Sequence, residues 1–319
     1  MRFDIVFHTT LVYADVVRES YNELRACPAN DEYQQVIAFR LSSVPGSRSA
    51  HHFDYWGTRV DTFGVRPPHE RLDIIAEATV ITSDRPVDRP PAVPLSALTD
   101  EVFVEEHLDY LDVSPHTEGG SRLADFADGL GGGDVVSHVR SVSDSTHAAI
   151  EYASGTTHVG IDLDEVLERG QGVCQDYAHL AVAACRRAGI PARYVSGYLF
   201  TADDSTGEDT TDMTVVVETH AWFEAAVPGS GWLALDPTNG LDVGARHVKI
   251  GHGRDYDDVP PMRGVYAGDV DSDVTAGVEI RRSAREFIAH SAASRREETA
   301  AQARFRERYE QQQQQQQQQ

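Results

Sequence analysis

The sequence predicts an α+β protein in which an N-terminal β-sandwich-like domain precedes a second domain where helices lead into a meander of strands. Three observations carry this. From residue 1 to about 90, short apolar runs recur at spacings of about 8–12 residues, each bounded by Gly, Pro, Asp or Ser, as in a sandwich. Four prolines between residues 85 and 94 exclude a helix or a central strand and mark a linker. Beyond them the flavour changes: helix-compatible windows at 97–111 and 135–152 come first, and strand-like runs at 192–200, 214–226 and 231–236 follow.

Taken in order, Phe3, Ile5 and Phe7 alternate with polar neighbours as one strand. The run 16–24 follows a short break, and 35–41 follows the turn-prone Pro28-Ala29-Asn30-Asp31. Further strands are expected at 50–56, 59–65 and 72–82. In the second domain Asp162 or Asp164 can cap a short helix through Glu168. A helical stripe then opens at Cys174, with Cys174, Ala178, Ala181 and Cys185 on one side, and Gly189 and Pro191 stop it. The residues divide as 1–90 for the β-rich domain, 96–275 for the core and 276–319 for a charged tail that ends in nine glutamines, Gln311 to Gln319, of low complexity.

Composition narrows the function. Acidic residues number 51 against 28 basic, a net charge of −23, and Lys249 is the single lysine. An acidic, lysine-poor surface suits solution at high salt, and it argues against nucleic acid as a partner because phosphate contacts need basic patches. No run of about 18 apolar residues exists, so no membrane span is expected. Residues 1–8 are too short in apolar length for a signal peptide, and a cytoplasmic protein is expected. The three cysteines, Cys27, Cys174 and Cys185, form no disulfide framework. On one helix Cys174 and Cys185 would lie roughly 16 Å apart, too far to bridge. None pairs at CxxC spacing, so no metal and no cofactor are implied.

Cys174 follows the glycine-flanked stretch Gly170-Gln171-Gly172-Val173. A sulfur at a helix start faces unpaired backbone N–H groups and the positive end of the macrodipole, which favour thiolate over thiol. Downstream, 219–239 reads as a β-hairpin. His220, Trp222 and Glu224 alternate with Ala221, Phe223 and Ala225, and Trp232, Ala234 and Asp236 alternate with Leu233 and Leu235. Pairing the apolar faces puts His220 and Asp236 on the same side of the sheet. With Val227-Pro228-Gly229 as the loop, His220 lies opposite Asp236, although Pro228 also allows a wider loop. A carboxylate beside an imidazole fixes its tautomer, so Cys174, His220 and Asp236 form a candidate Cys-His-Asp triad. Gln171, Gln175 and Tyr194 are candidates for a second oxyanion donor beside the Cys174 N–H. Trp222 stands beside the histidine. Asp255 and Tyr256 either line an acyl pocket or close a loop on the core. His179 reads as a helix–sheet packing contact, and Cys185 as core.

Four segments in order, Gly172-Val173-Cys174-Gln175-Asp176-Tyr177, Gly189-Ile190-Pro191-Ala192-Arg193-Tyr194, His220-Ala221-Trp222 and Asp236-Pro237-Thr238-Asn239, resemble the bacterial and archaeal transglutaminase-like superfamily. Gly253-Arg254-Asp255-Tyr256 is similar to that family's segment after the aspartate, and Ser20-Tyr21-Asn22-Glu23-Leu24-Arg25 to its β-rich N-terminal domain. The resemblance spans about residues 2 to 268. Tyr55-Trp56-Gly57-Thr58 departs from it, standing where an Asp-Phe-Gly-Asn-like turn is expected. The resemblance implies a papain-like core whose catalytic helix packs on an antiparallel sheet, with Cys174 as nucleophile, His220 as base and Asp236 as its orienter. The expected activity is hydrolysis of peptide, isopeptide or Gln amide bonds through a Cys thioester, on a peptide or protein substrate. Protein cross-linking is the alternative within the class, and an inactive peptide-binding module is the alternative outside it. The acidic stretch 201–212 reads as a solvated loop.

Overall fold

The computed structural model describes residues 1–85, 92–202 and 212–283. The acidic stretch 203–211, most of the expected linker and the tail from 284, glutamines included, lie outside the described residues.

Two sheets make the N-terminal part. The chain opens in a long strand, β1 (Arg2–Val17), then runs through β2 (Ser20–Leu24), β3 (Gln34–Val44), β4 (Ser49–Phe53), β5 (Arg59–Val65) and β6 (His69–Thr82). Strands β1, β3 and β6 belong to one five-stranded sheet, and β2, β4 and β5 to a four-stranded one. Alternation explains the packing. Phe3, Ile5 and Phe7 on β1 point into a core shared with Leu24, Phe63 and Val65 of the second sheet, so the two form a sandwich.

Both sheets are completed from the far end of the sequence. The strands β10 (Thr214–Val217) and β16 (Ser272–Arg282) join the first sheet in the order β10-β16-β1-β6-β3, and β15 (Met262–Tyr266) pairs with β2 in the second. A boundary at 275 therefore falls inside β16, whose pairing with β1 runs from Phe3↔Arg282 to Tyr13↔Ser272. The expected strand 214–226 is likewise two strands in two different sheets. Strand alternation is a local signal, but the partner of a strand some 270 residues away is chosen by burial, which local pattern does not encode.

The intervening chain supplies helices α1 (Glu101–Glu106), α2 (Ser121–Asp128), α3 (Val135–Ala149), α4 (Leu163–Arg169) and α5 (Cys174–Arg187), with a two-strand parallel pair, β7 (Glu151–Tyr152) and β8 (Gln171–Gly172). A five-stranded sheet follows, built from β9 (Ala192–Leu199), β11 (His220–Val227), β12 (Gly231–Asp236), β13 (Leu241–Asp242) and β14 (His247–Gly253) in the order β13-β12-β11-β9-β14. Helix α5 lies on one face of this sheet, where Ala181 and Cys185 pack against Phe223, Ala225 and Leu235. The window 97–111, expected as one helix, is a short helix flanked by 3-10 turns. Asp162 caps α4 through the Asp164 N–H. Among the described residues no helix is long and apolar enough to cross a membrane.

Candidate active site

The site forms where the start of α5 meets the start of β11. Gly170 ends α4 in the left-handed region at φ 63°, β8 pairs with β7, and Val173 extends the chain into α5, so that Cys174 is the first helical residue. Asp176 holds this entry from within the helix. Its Oδ2 accepts the Val173 N–H at 2.8 Å and the Thr157 hydroxyl at 2.7 Å, the reach of an N3 carboxylate back to the N-cap. Gly172 permits it, because a Cβ there would meet the Asp176 side chain at 3.0 Å and Ile150 at 3.3 Å. Cys174 is the one half-buried cysteine of the three, and its Sγ lies 3.9 Å from the carbonyl oxygen of Thr219, the residue before His220. Burial pushes the thiols of Cys27 and Cys185 up, to about 11 and about 12.

The hairpin brings the histidine and the aspartate together in a register different from the expected one. Val227↔Gly231 and Phe223↔Leu235 pair, which shifts the strands by two residues and leaves His220 diagonal to Asp236. The loop is of the same length but lies one residue later, at 228–230, with the Ser230 N–H bonded to the Val227 carbonyl across Pro228 and Gly229. Gly229 at φ 73° supplies the third position of a type II turn. A shift of two preserves the faces, so the predicted juxtaposition survives: His220 Nε2 lies 2.8 Å from Asp236 Oδ2. That leaves Nδ1 for the sulfur of Cys174, with which the ring also hydrogen-bonds. Burial opposes the His220 imidazolium, but the bonds to Asp236 and Cys174 outweigh it and lift the ring to about 10.

Asp236 is fully buried and takes more than one partner. Oδ2 also accepts from Asn239 Nδ2 at 2.8 Å and from His247 Nε2 at 3.1 Å, and Oδ1 accepts the Asn239 N–H at 3.2 Å. Burial works against the anion, yet the hydrogen bonds from His220 and His247 hold the carboxyl far below its usual range. Asn239 and His247 were not among the expected site residues. Asn239 stands three residues after Asp236, close enough for both its backbone and its side-chain N–H to reach the carboxylate. His247 opens a strand whose alternation, from Val248 to Gly253, went unassigned.

The remaining candidates separate. Tyr194 is buried beside the sulfur, packed with Cys174, Ala178, Ala221 and Tyr256. Its phenol is raised well above its ordinary value by burial, then by the neighbouring Cys174 charge. Tyr256 reaches the same cluster, and its N–H donates to His179 Nε2 at 3.2 Å. His179 is a packing contact, stacked between His116 and Tyr194. Gln171 is exposed on β8, and Gln175 spends its side chain on Asp176. Asp255 is a loop-closing residue, accepting the N–H groups of Asp257 and His116. Trp222 is completely buried beside His220, 5.3 Å edge-on from His247, and lines a small cavity shared with His247, Lys249 and Arg85 rather than a pocket at the sulfur. Alternation put it on the right face, but one pleat too deep. Tyr152, unexpected, lies on β7 opposite Gly172 and feels the charge of Cys174. Burial first, then the charges of Cys174 and Glu218, push its phenol up to about 12.

Behind the same sheet face, Glu224 is shared by three cations: Lys249 Nζ at 2.7 Å, the Arg193 guanidinium at 2.5 Å and that of Arg85 at 3.4 Å. Burial disfavours the carboxylate, but three cations hold it well below its usual range. Lysine is the weakest base of the three, and burial lowers Lys249 to about 8. Among the described residues, two sets of side chains have ligand atoms within 4.8 Å of one another: His220, Asp236 and His247, and His116, Asp255 and Asp257. In the first set Asp236 already accepts from both rings, and in the second Asp255 is occupied by backbone N–H groups.

Known proteins resemble this chain over most of its length. The family model of the transglutaminase-like superfamily matches residues 124–237, and that of the bacterial transglutaminase-like N-terminal region matches residues 3–81. An uncharacterized protein of Mycobacterium leprae is 33% identical over 290 residues, covering 89% of this chain and 99% of its own. A protein-glutamine gamma-glutamyltransferase of Pseudomonas aeruginosa is 37% identical over 79 residues, 25% of this chain and 11% of that one. Among solved structures, a candidate cysteine protease from Cytophaga hutchinsonii superposes with a TM-score of 0.68 at 23% identity, covering 93% of this chain and 95% of that chain.

Proposed function

Because this chain belongs to the transglutaminase-like superfamily, we propose that it is a cysteine-dependent acyl-transfer enzyme that hydrolyses amide bonds of a peptide or protein substrate. The observation that carries the reading is the bond of 2.8 Å between His220 Nε2 and Asp236 Oδ2, with the other face of the ring turned to Cys174 at a helix start. In this reading the Cys174 thiolate attacks the acyl carbon, and the backbone N–H of Cys174 receives the developing oxyanion. His220 gives its Nδ1 proton to the departing nitrogen, which leaves an acyl-thioester. Water, deprotonated by the same nitrogen, then releases the acid and restores the thiol. Asp236 keeps the ring in register and stabilises its charged form without itself taking the proton.

Hydrolysis is favoured over cross-linking because cross-linking consumes lysine amines, and a single lysine in 319 residues points to a host whose proteins offer few. Amine transfer is the second reading, favoured by the partial likeness to the Pseudomonas aeruginosa transferase. Alkylation of Cys174 by iodoacetamide across pH tests the site. The reading requires that His220→Ala abolish the enhanced reactivity at neutral pH. A rate identical to that of a free thiol in both proteins, rising only near pH 8.5, would leave a binding module instead. Trapping glutamine-bearing peptides as thioesters, with and without added primary amine, then separates water from amine as acceptor.

A further inference from the structure

We propose that His247 is a positioning residue for His220, holding the buried Asp236 carboxylate in line so that the working unit is Cys174–His220–Asp236–His247. The inference rests on the nucleophile reading above and concerns a residue outside the triad.

Hydrogen-bond accounting fixes the state of the His247 ring. The Gly244 N–H lies 3.2 Å from His247 Nδ1. A backbone N–H can only donate, so Nδ1 is an unprotonated acceptor and the ring is neutral. A neutral ring then carries its proton on Nε2, and that atom is 3.1 Å from Asp236 Oδ2. The clasp is reciprocal, since the His247 N–H donates back to the Gly244 carbonyl at 3.0 Å. The ring is therefore set by the backbone of the loop before β14, not by the site it serves. Its side chain is 3% exposed, with the edge of Trp222 on one side.

Asp236 has no solvent exposure, so water cannot complete its shell and its protein donors decide how the carboxylate is rotated. Asn239 supplies two donors from the same turn, and His220 is the group to be aimed. Among the described residues, His247 is the one donor besides His220 itself that enters from another strand. Without it, Oδ2 keeps only its turn partner and His220, and the carboxylate is free to rotate and carry the imidazole off the sulfur. The charged and titratable groups facing His247 are Asp236, His220 and Arg246, with Lys249, Arg85, Asp31 and Tyr33 lining a small cavity beside Trp222. Burial first, and then the charges of His220 and Arg246, work against the pull of Asp236 and lower the ring's affinity for a proton, which favours the neutral form that the Gly244 N–H requires.

Two substitutions test this in the full-length protein. His247→Gln keeps an N–H donor, and His247→Leu removes it at similar volume. The readout is the rate of iodoacetamide alkylation of Cys174 from pH 5 to 9, with thermal melting beside it. His247→Leu should slow alkylation at pH 6.5 by up to about a hundred-fold, because a thiol of ordinary pKa is only about 1% thiolate there. His247→Gln should recover most of that loss at a comparable melting temperature. Wild-type reactivity in His247→Leu, or no recovery in a well-folded His247→Gln, overturns the proposal. If His247→Leu does not fold, the ring nitrogens of the wild-type protein decide by NMR. A neutral Nε2–H tautomer is expected, and an imidazolium or an Nδ1–H tautomer overturns the proposal. A Cys174 whose rate ignores His220→Ala sinks the nucleophile reading itself. One that depends on His220 yet ignores His247 sinks only the positioning role.

Discussion

His220 and Asp236 tie the site to pH through opposite shifts. The His220 ring is lifted from 6.5 in the open chain to about 10 in the fold, so folding favours its protonated form. That contribution is complete below about pH 6.5 and fades as pH climbs to about 10. Asp236 is depressed, so its share is present above the ordinary carboxylate range and is lost only in acid. Urea unfolding of the wild type and His220→Gln over this range should show a free-energy gap that is widest near pH 6 and narrows towards pH 10. A gap that widens with pH would contradict the assigned cause. At this scale the sequence was informative where the signal is local. Cys174 after a glycine-flanked loop, and the alternation of His220 and Asp236 with apolar neighbours, were both readable. His247 was not, because its role is set by a loop clasp and by a carboxylate eleven positions away on a different strand. The two readings of Asp255 were inseparable for a related reason: its type suits a pocket as well as a loop closure, and only its backbone partners show that it caps a turn.

Helix α5 shows what keeps the sulfur where the imidazole can reach it. Asp176 joins Val173 to Thr157 across the helix entry, and it is buried, so both donors are orphaned if it is lost. Asp176→Ala should lower the unfolding free energy by about 1–3 kcal/mol and slow alkylation of Cys174, while Asp176→Asn, which keeps an acceptor, should fall between. Urea titration beside the alkylation assay checks both. The far end of the helix is pinned too: the Arg186 guanidinium donates to the carbonyls of Tyr110, Asp112, Ala192 and Arg254. The helix is legible from its stripe and its stop signals, whereas the role of Asp176, three residues from Val173 as in a capping box, shows only in its bonds. The hairpin was legible in its faces but not in its register. Parity is dictated by which residues must be buried, whereas the two-residue shift comes from a turn placed one residue later around Pro228, which burial does not fix.

Across the whole molecule, the strand that opens the chain lies inside its sheet only because the last described strand returns to cover it. Phe3 and Phe7 of β1 meet Phe200 and Tyr198, at ring distances of 5.1 and 6.3 Å. Tyr198 lies on β9, which pairs with β11 and sets His220 opposite Gly197. The sandwich is thus a buttress for the site-bearing sheet, and β16 closes the sandwich. A chain ending at Asp271 loses Val278 and Ile280 from that core, a loss of about 3–6 kcal/mol at roughly 1.5–3 kcal/mol for each buried side chain. That is comparable to the whole stability of an ordinary domain, about 5–15 kcal/mol. It also leaves the long β1 as an open edge on the β16 side, a template for pairing between chains. A chain ending at Ser283 keeps every pairing described for β16. The shorter chain should therefore melt far lower or aggregate on expression, and any soluble fraction should lose the enhanced reactivity of Cys174. The chain ending at Ser283 should retain that reactivity. Melting, light scattering and alkylation on the pair decide it: equal melting temperatures would mean that the sandwich stands without its returning strand, and that the buttress runs through β6 and β3 alone.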